Sequence, residues 1–150
     1  MRRLREKEVE EMEKVIWMIC GSYTASMAWF DLRKKEIPVI PGIICAAVVV
    51  LLQLLRRNTW MEWLPGICTG LLLWGVSRLS RGAVGEGDAL VFAVVGVSLG
   101  FMASLEVLML SLFFAAAAGI ALMVFRRVGR RYRMPFIPFT AAAYGILLCL

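Results

Sequence analysis

The sequence contains no histidine. Imidazole catalysis, and metal sites built on imidazole, lie outside what its own side chains can do. Aspartate is nearly absent too, with Asp31 and Asp88 the only two among 150 residues. The four cysteines (Cys20, Cys45, Cys68 and Cys149) stand singly inside apolar stretches, with no C-x-x-C pair. That argues against a zinc knuckle or thiol redox motif and for small apolar core residues. What fills the chain instead is hydrophobic: 61% of it, with a mean hydropathy of +0.78. A soluble domain is about 45–50% apolar, and disorder needs low hydrophobicity. The composition is that of an integral membrane protein.

At about 20 residues per transmembrane helix, the length holds six or seven spans with tight loops and leaves no room for a separate soluble domain. Residues 1–14 carry five basic and five acidic side chains and read as a charged, solvated or interfacial tail. Ser26-Met27-Ala28 has a faint likeness to a signal cleavage site, but five glutamates ahead of the apolar run argue against that reading. Residues 15–150 then read as a single transmembrane domain. Six apolar segments follow one another: Val15–Phe30, Val39–Leu55, Trp60–Leu79, Ala89–Met102, Val107–Phe125 and Pro138–Leu150. None alternates polar and apolar residues as barrel strands do, so all six are expected to be helices. Several are short for a span, which tilt or a thinned bilayer would accommodate. Gly66 with Gly70, and Ala115–Ala118 with Gly119, are expected to allow close helix packing. Trp60 and Trp63 are expected to be interfacial anchors.

The net charge is +6. The basic residues sit in short loops between apolar runs, which points to membrane orientation and anionic lipid headgroups rather than to nucleic acid. Arg33, Lys34 and Lys35, then Arg78 and Arg81, then Arg126, Arg127, Arg130, Arg131 and Arg133 fall in loops on one side, ten in all. The other side holds Arg56 and Arg57, and its second loop carries Glu106. The asymmetry puts the ten-residue side in the cytoplasm and both termini outside.

Asp31 closes the first segment and Asp88 opens the fourth, so both fall at the same, cytoplasmic edge. Carboxylates at a membrane boundary are functional candidates, although either alone could simply be solvated. Two carboxyl groups held close cannot both ionise cheaply, so they share a proton. The charged one can accept a proton from water while the other donates to a scissile carbonyl. No histidine, serine, metal or cofactor is called for. Gly85 and Gly87 flank Glu86 just before Asp88, and glycines permit a tight turn and close backbone approach. The helix dipole at Asp88 is expected to favour its anionic form, suiting it to act as the base.

These residues resemble the type IV prepilin peptidase family, bacterial members of the G-x-G-D intramembrane aspartyl proteases. Asp31-Leu32-Arg33-Lys34-Lys35-Glu36-Ile37-Pro38 is similar to that family's first Asp motif, Gly85-Glu86-Gly87-Asp88 to its second, and Pro135-Phe136-Ile137-Pro138-Phe139 to the P-F-x-P-F element before the last helix. Val39 stands where the family commonly has Asn, and Leu90 where many members have Lys. The resemblance implies an all-α polytopic fold of about six transmembrane helices. It implies Asp31 and Asp88 as the catalytic pair, the Gly85–Gly87 loop beside them, and Ile37, Pro38, Pro135 and Pro138 as supporting motif positions. It further implies a prepilin or pseudopilin precursor as substrate and a bacterial cytoplasmic membrane as the location, with the active edge facing the cytoplasm. Long family members add a cysteine-rich domain and methylate the new pilin N-terminus, and the expectation here is a peptidase-only form.

Other classes stay in view. Presenilin-like and signal-peptide-peptidase-like proteins share G-x-G-D, but they usually have Tyr before the first Asp and a P-A-L element. Here Phe30 precedes Asp31, and no Pro-Ala-Leu occurs. A non-catalytic assembly component of a pilus or secretion system is the main alternative. A small transporter fits less well, because its carboxylates belong nearer the bilayer midplane.

Overall fold

The structure, a computed structural model, describes residues 2–34, 39–55, 60–79, 85–126 and 135–149. Its elements are helices: α1 (Arg2–Lys34), α2 (Val39–Leu55), α3 (Trp60–Trp63) running through a 3-10 turn (Leu64–Gly66) into α4 (Ile67–Leu79), α5 (Glu86–Leu99), α6 (Phe101–Arg126) and α7 (Ile137–Cys149). The third apolar segment is thus one composite rod, tightened at Pro65, where a missing N–H suits the start of a turn.

α5 is the centre. Ala89, Val91, Phe92 and Val94–Ser98 are all buried, so it is apolar and enclosed around its circumference. α1, α2, α4 and α6 pack against it, and α7 closes the bundle between α1 and α6. The tightest contact joins the α3–α4 rod to α5. A Cβ on Gly66 would fall 1.9 Å from the Gly96 carbonyl oxygen, and one on Gly70 would fall 2.6 Å from the Ala93 Cβ. Gly66 and Gly70 therefore serve helix packing, as their spacing suggests. Thr69 between them is fully buried, and its hydroxyl donates to the Gly66 carbonyl at 2.7 Å and the Phe92 carbonyl at 3.3 Å. The second small-residue stretch behaves differently, since nothing lies within 4 Å of where a Gly119 Cβ would be.

The outer helices turn apolar side chains outward. Leu51, Leu71, Met109, Phe113 and Ile120 are exposed. Among the described residues α6 is the one helix long and apolar enough to cross a membrane, and only 17% of its apolar window is buried in the bundle. A soluble protein's core helix is mostly enclosed, so this surface needs an apolar medium around it.

Several boundaries and placements differ from the sequence expectation. The charged tail is continuous with the first apolar segment, because nothing breaks the helix before Gly21 and Lys14 bridges Glu10 and Glu11 at helical spacing. The fourth segment stops at Leu99 and the fifth starts at Phe101. Gly100, at φ 82°, is the single-residue hinge that reverses the chain. Glu106 is consequently inside α6, not in a loop. Arg33 and Lys34 fall within the last turn of α1, Arg78 within that of α4 and Arg126 within that of α6, rather than in loops. Trp63 is buried at 7% exposure and is a core residue rather than an interfacial anchor. The cysteines are free: Cys20 is buried, Cys45 is half-buried, and Cys68 and Cys149 are exposed on the apolar surface instead of in the core.

Candidate functional site

Asp31 and Asp88 converge at one end of the bundle. α1 delivers Asp31 from its last turn and α5 delivers Asp88 from its first, and both side chains are buried, at 7% and 8% exposure. α1 packs directly against α5. The chain's only two aspartates are thus brought to the same end of the bundle.

Asp88 begins a helix whose N-cap is Gly85, in extended backbone at φ −67° and ψ 137°. The Asp88 amide donates to the Gly85 carbonyl at 3.1 Å, closing the first turn. The carboxyl folds back over Gly85, where an added Cβ would stand 3.2 Å from Asp88 Oδ2. Asp88 precedes the apolar run that opens at Ala89. Burial pushes its carboxyl above the ordinary carboxylate range, the Asp31 charge pushes the same way, and a hydrogen bond with the Gly85 backbone opposes both. These effects run against the dipole at the start of α5, so Asp88 holds its proton to a higher pH than an ordinary carboxyl, the opposite direction from the one the dipole alone leads one to expect.

Asp31 is held by a third element. The Ile137 amide, at the start of α7, donates to Asp31 Oδ2 at 3.2 Å. Pro135 and Phe136 lead into this helix start, and Pro138 sits in its first turn, where a residue without an N–H is tolerated. Phe136 lies against Phe92, with ring centroids 6.1 Å apart and planes tilted by 33°. Phe92 is one helical turn beyond Asp88 on the same face of α5. The Pro135–Phe139 element therefore contacts both aspartate-bearing helices. At the other end of the α1–α7 contact, the Tyr144 hydroxyl donates to the Trp17 carbonyl at 2.9 Å.

Glu86 points elsewhere. It is exposed, and its Oε1 is 3.7 Å from Arg78 Nε at the end of α4. Arg78 also lies over the Trp74 ring, 5.2 Å from the centroid, and Arg33 lies over the Trp29 ring at 4.6 Å. These exposed Trp–Arg pairs end α4 and α1. Gly87 follows Glu86 in the first turn of α5, half-buried. Ile37 and Pro38 lie outside the described residues. Leu90 covers Gly42 of α2, beside the Tyr23 hydroxyl: a Cβ at Gly42 would overlap Leu90 Cδ2 and lie 2.9 Å from that oxygen. An apolar contact thus occupies this position, which suits leucine.

Sequence reasoning missed the Ile137 amide and the Phe136–Phe92 contact. Their signal was present in the paired prolines, which mark a helix start without saying what it faces.

Residues 18–124 match the family described as "Type IV leader peptidase family". This span contains both aspartates and ends before Pro135. The chain is also similar to the "Prepilin leader peptidase/N-methyltransferase" of Bacillus subtilis (strain 168), with 33% identity over 86 residues. That alignment covers 57% of this chain but 35% of the relative, so the chain spans well under half of the relative it matches. No solved structure matches the chain significantly.

Proposed function

The chain belongs to the type IV leader peptidase family, and from that premise we propose that it is a membrane-embedded aspartic endopeptidase. In this reading it removes the leader of prepilin-like or pseudopilin precursors at the cytoplasmic edge of a bacterial inner membrane. One observation carries it: the only two aspartates of a histidine-free chain are buried together at one end of the bundle, close enough for the charge of one to act on the other. The pair shares a proton and titrates as a unit. The charged carboxylate takes a proton from water, the protonated one donates to the scissile carbonyl, and water attacks directly.

Six spans accompany this reading: the apolar part of α1, α2, the α3–α4 rod, α5, α6 and α7. The outward-facing leucines and phenylalanines support it, as does the count of ten basic residues that the sequence assigns to loops on one side. α5 is about 21 Å long, short of the ~30 Å hydrocarbon core, and its enclosure by other helices removes the need to meet lipid along its length. The precursor's apolar helix lies in the bilayer and its leader junction reaches the dyad, while the basic residues near this edge hold anionic headgroups.

The test is co-expression with a prepilin from the same genome, followed by mass spectrometry of the precursor. Asp31→Asn and Asp88→Asn are each expected to lower cleavage by at least about 10³-fold. Cleavage that survives either change removes the dyad mechanism. Absence of cleavage with every cognate prepilin favours a non-catalytic role in pilus or secretion assembly.

A further inference from the structure

An α-helix begins with four amides that have no partner within the helix. In α7 these belong to residues 136–139, since the Thr140 amide makes the first regular helix bond, to the Phe136 carbonyl at 3.4 Å. Pro138 has no N–H, and the Phe139 amide donates to the same Phe136 carbonyl at 3.1 Å. The Ile137 amide points out of the helix and donates to Asp31 Oδ2. Ile137 is 1% exposed, so this bond is shielded from water. The sequence Phe136-Ile137-Pro138-Phe139 thus removes the donor at Pro138, turns that of Phe139 back on the helix and directs the Ile137 amide, at the positive end of a helix, onto one of the two aspartates.

We propose that the Ile137 amide is a positioning group for the peptidase reaction: it fixes the orientation of Asp31 and keeps it the charged member of the pair, leaving the shared proton on Asp88. This rests on the peptidase reading above. A hydrogen bond donated to a carboxylate stabilises its charged form. Asp88 takes a backbone hydrogen bond of its own, from Gly85 of its own helix start, but none from α7. The described elements packed around Asp31 also carry other charged and titratable groups. α5 contributes Asp88 itself and Glu86, which pairs with Arg78. α1 contributes Arg33, stacked on Trp29, with Lys34 after it. α2 carries no charged side chain and only Cys45 as a titratable one, six residues from its start. The described part of α7 carries Tyr144, bound to Trp17, and Cys149 at its end.

The test replaces single amides by esters in the full-length chain, through suppressor incorporation of α-hydroxy acids. The ester at Ile137 keeps the side chain and removes the donor to Asp31. The ester at Phe139 removes a donor to Phe136 and serves as the control for a weakened helix start. Because the chain has only two aspartates, Asp88→Asn together with labelled aspartate leaves one carboxyl band in the infrared, that of Asp31. The ester at Ile137 is expected to raise the pH at which this band converts from acid to carboxylate by about one unit; the ester at Phe139 is expected to leave it in place. With Asp88 intact, the Ile137 ester is expected to lower kcat for precursor cleavage about ten-fold with KM within about two-fold, and to move the acid limb of the pH profile upward. An unmoved band, or equal shifts from both esters, overturns the proposal. Cleavage that persists in Asp31→Asn overturns the dyad mechanism of the reading above instead, and the infrared comparison still decides whether Ile137 sets the charge.

Discussion

Phe136 rests against Phe92 with ring centroids 6.1 Å apart, one helical turn beyond Asp88. This contact joins the start of α7 to the helix that carries the second aspartate, while the neighbouring Ile137 amide reaches the first. Phe136→Ala is expected to destabilise the protein by about 1–3 kcal/mol, the loss of a half-buried ring and its aromatic partner. It is also expected to lower kcat more than that loss of stability explains at a temperature where the variant remains folded. Unfolding temperature in detergent, with cleavage kinetics beside it, separates the two effects. A stability loss with unchanged kcat would confine the ring to packing.

The buried carboxyl of Asp88 has a stability consequence of definite sign. Burial and the Asp31 charge raise it above its ordinary range, so the folded chain keeps this proton to a higher pH than the unfolded chain does. Stability is then fully present below the unfolded value, about pH 4, and declines as pH rises toward the raised one. Asp88→Asn carries no charge to bury. Its unfolding temperature is expected to match the parent near pH 4 and to exceed it by several degrees at pH 8, at roughly 2–4 °C per kcal/mol. A gap that is constant across that pH range would mean Asp88 is ionised without penalty.

Gly66 and Gly75 form an internal control within the α3–α4 rod. Gly66 meets the Gly96 carbonyl backbone to backbone, whereas nothing stands within 4 Å of a Gly75 Cβ. Gly66→Ala is expected to cost about 2–3 kcal/mol by forcing α4 from α5. Gly75→Ala is expected to stabilise by about 0.5–1 kcal/mol through helix propensity. Paired thermal melts in the same detergent check the opposite signs.

The Arg78–Glu86 pair is exposed on both sides. Exposed ion pairs contribute little. Glu86→Gln and Arg78→Ala are each expected to change stability by less than about 1 kcal/mol and kcat by less than about three-fold. A fall in kcat of ten-fold or more in Glu86→Gln, with folding intact, would assign Glu86 to substrate.

Much of the site was legible because polar chemistry is so scarce in this chain. With two aspartates and no histidine, the positions of Asp31 and Asp88 at segment ends left few arrangements open, while how near the two lie was not legible and comes from the packing of α1 against α5. Helix existence was legible for the same reason, since long apolar runs have few alternatives. Boundaries were not. Continuous hydrophobicity across residues 89–125 hides Gly100, whose φ of 82° reverses the chain within a single residue. The tail looked separate because composition changes at Lys14, yet hydrogen bonding along a helix is indifferent to that change. Trp63 and Cys68 show a third limit. Both lie in one apolar segment, and only the packing of that segment against α5 puts Trp63 inside and leaves Cys68 outside. The Ile137 amide was invisible because a backbone donor has no letter in the sequence.

The enclosure of α5 gives its middle and its ends different lifetimes. A helix whose neighbours surround it opens only when they separate, so its amides belong with the slowest to exchange with deuterium, near the limit of global unfolding. Both aspartates sit in terminal turns, Asp88 in the first of α5 and Asp31 in the last of α1, where a helix opens most readily. The Ile137 amide is bonded to Asp31, so the rate at which that amide exchanges reports how long the end of α1 stays docked beside α5.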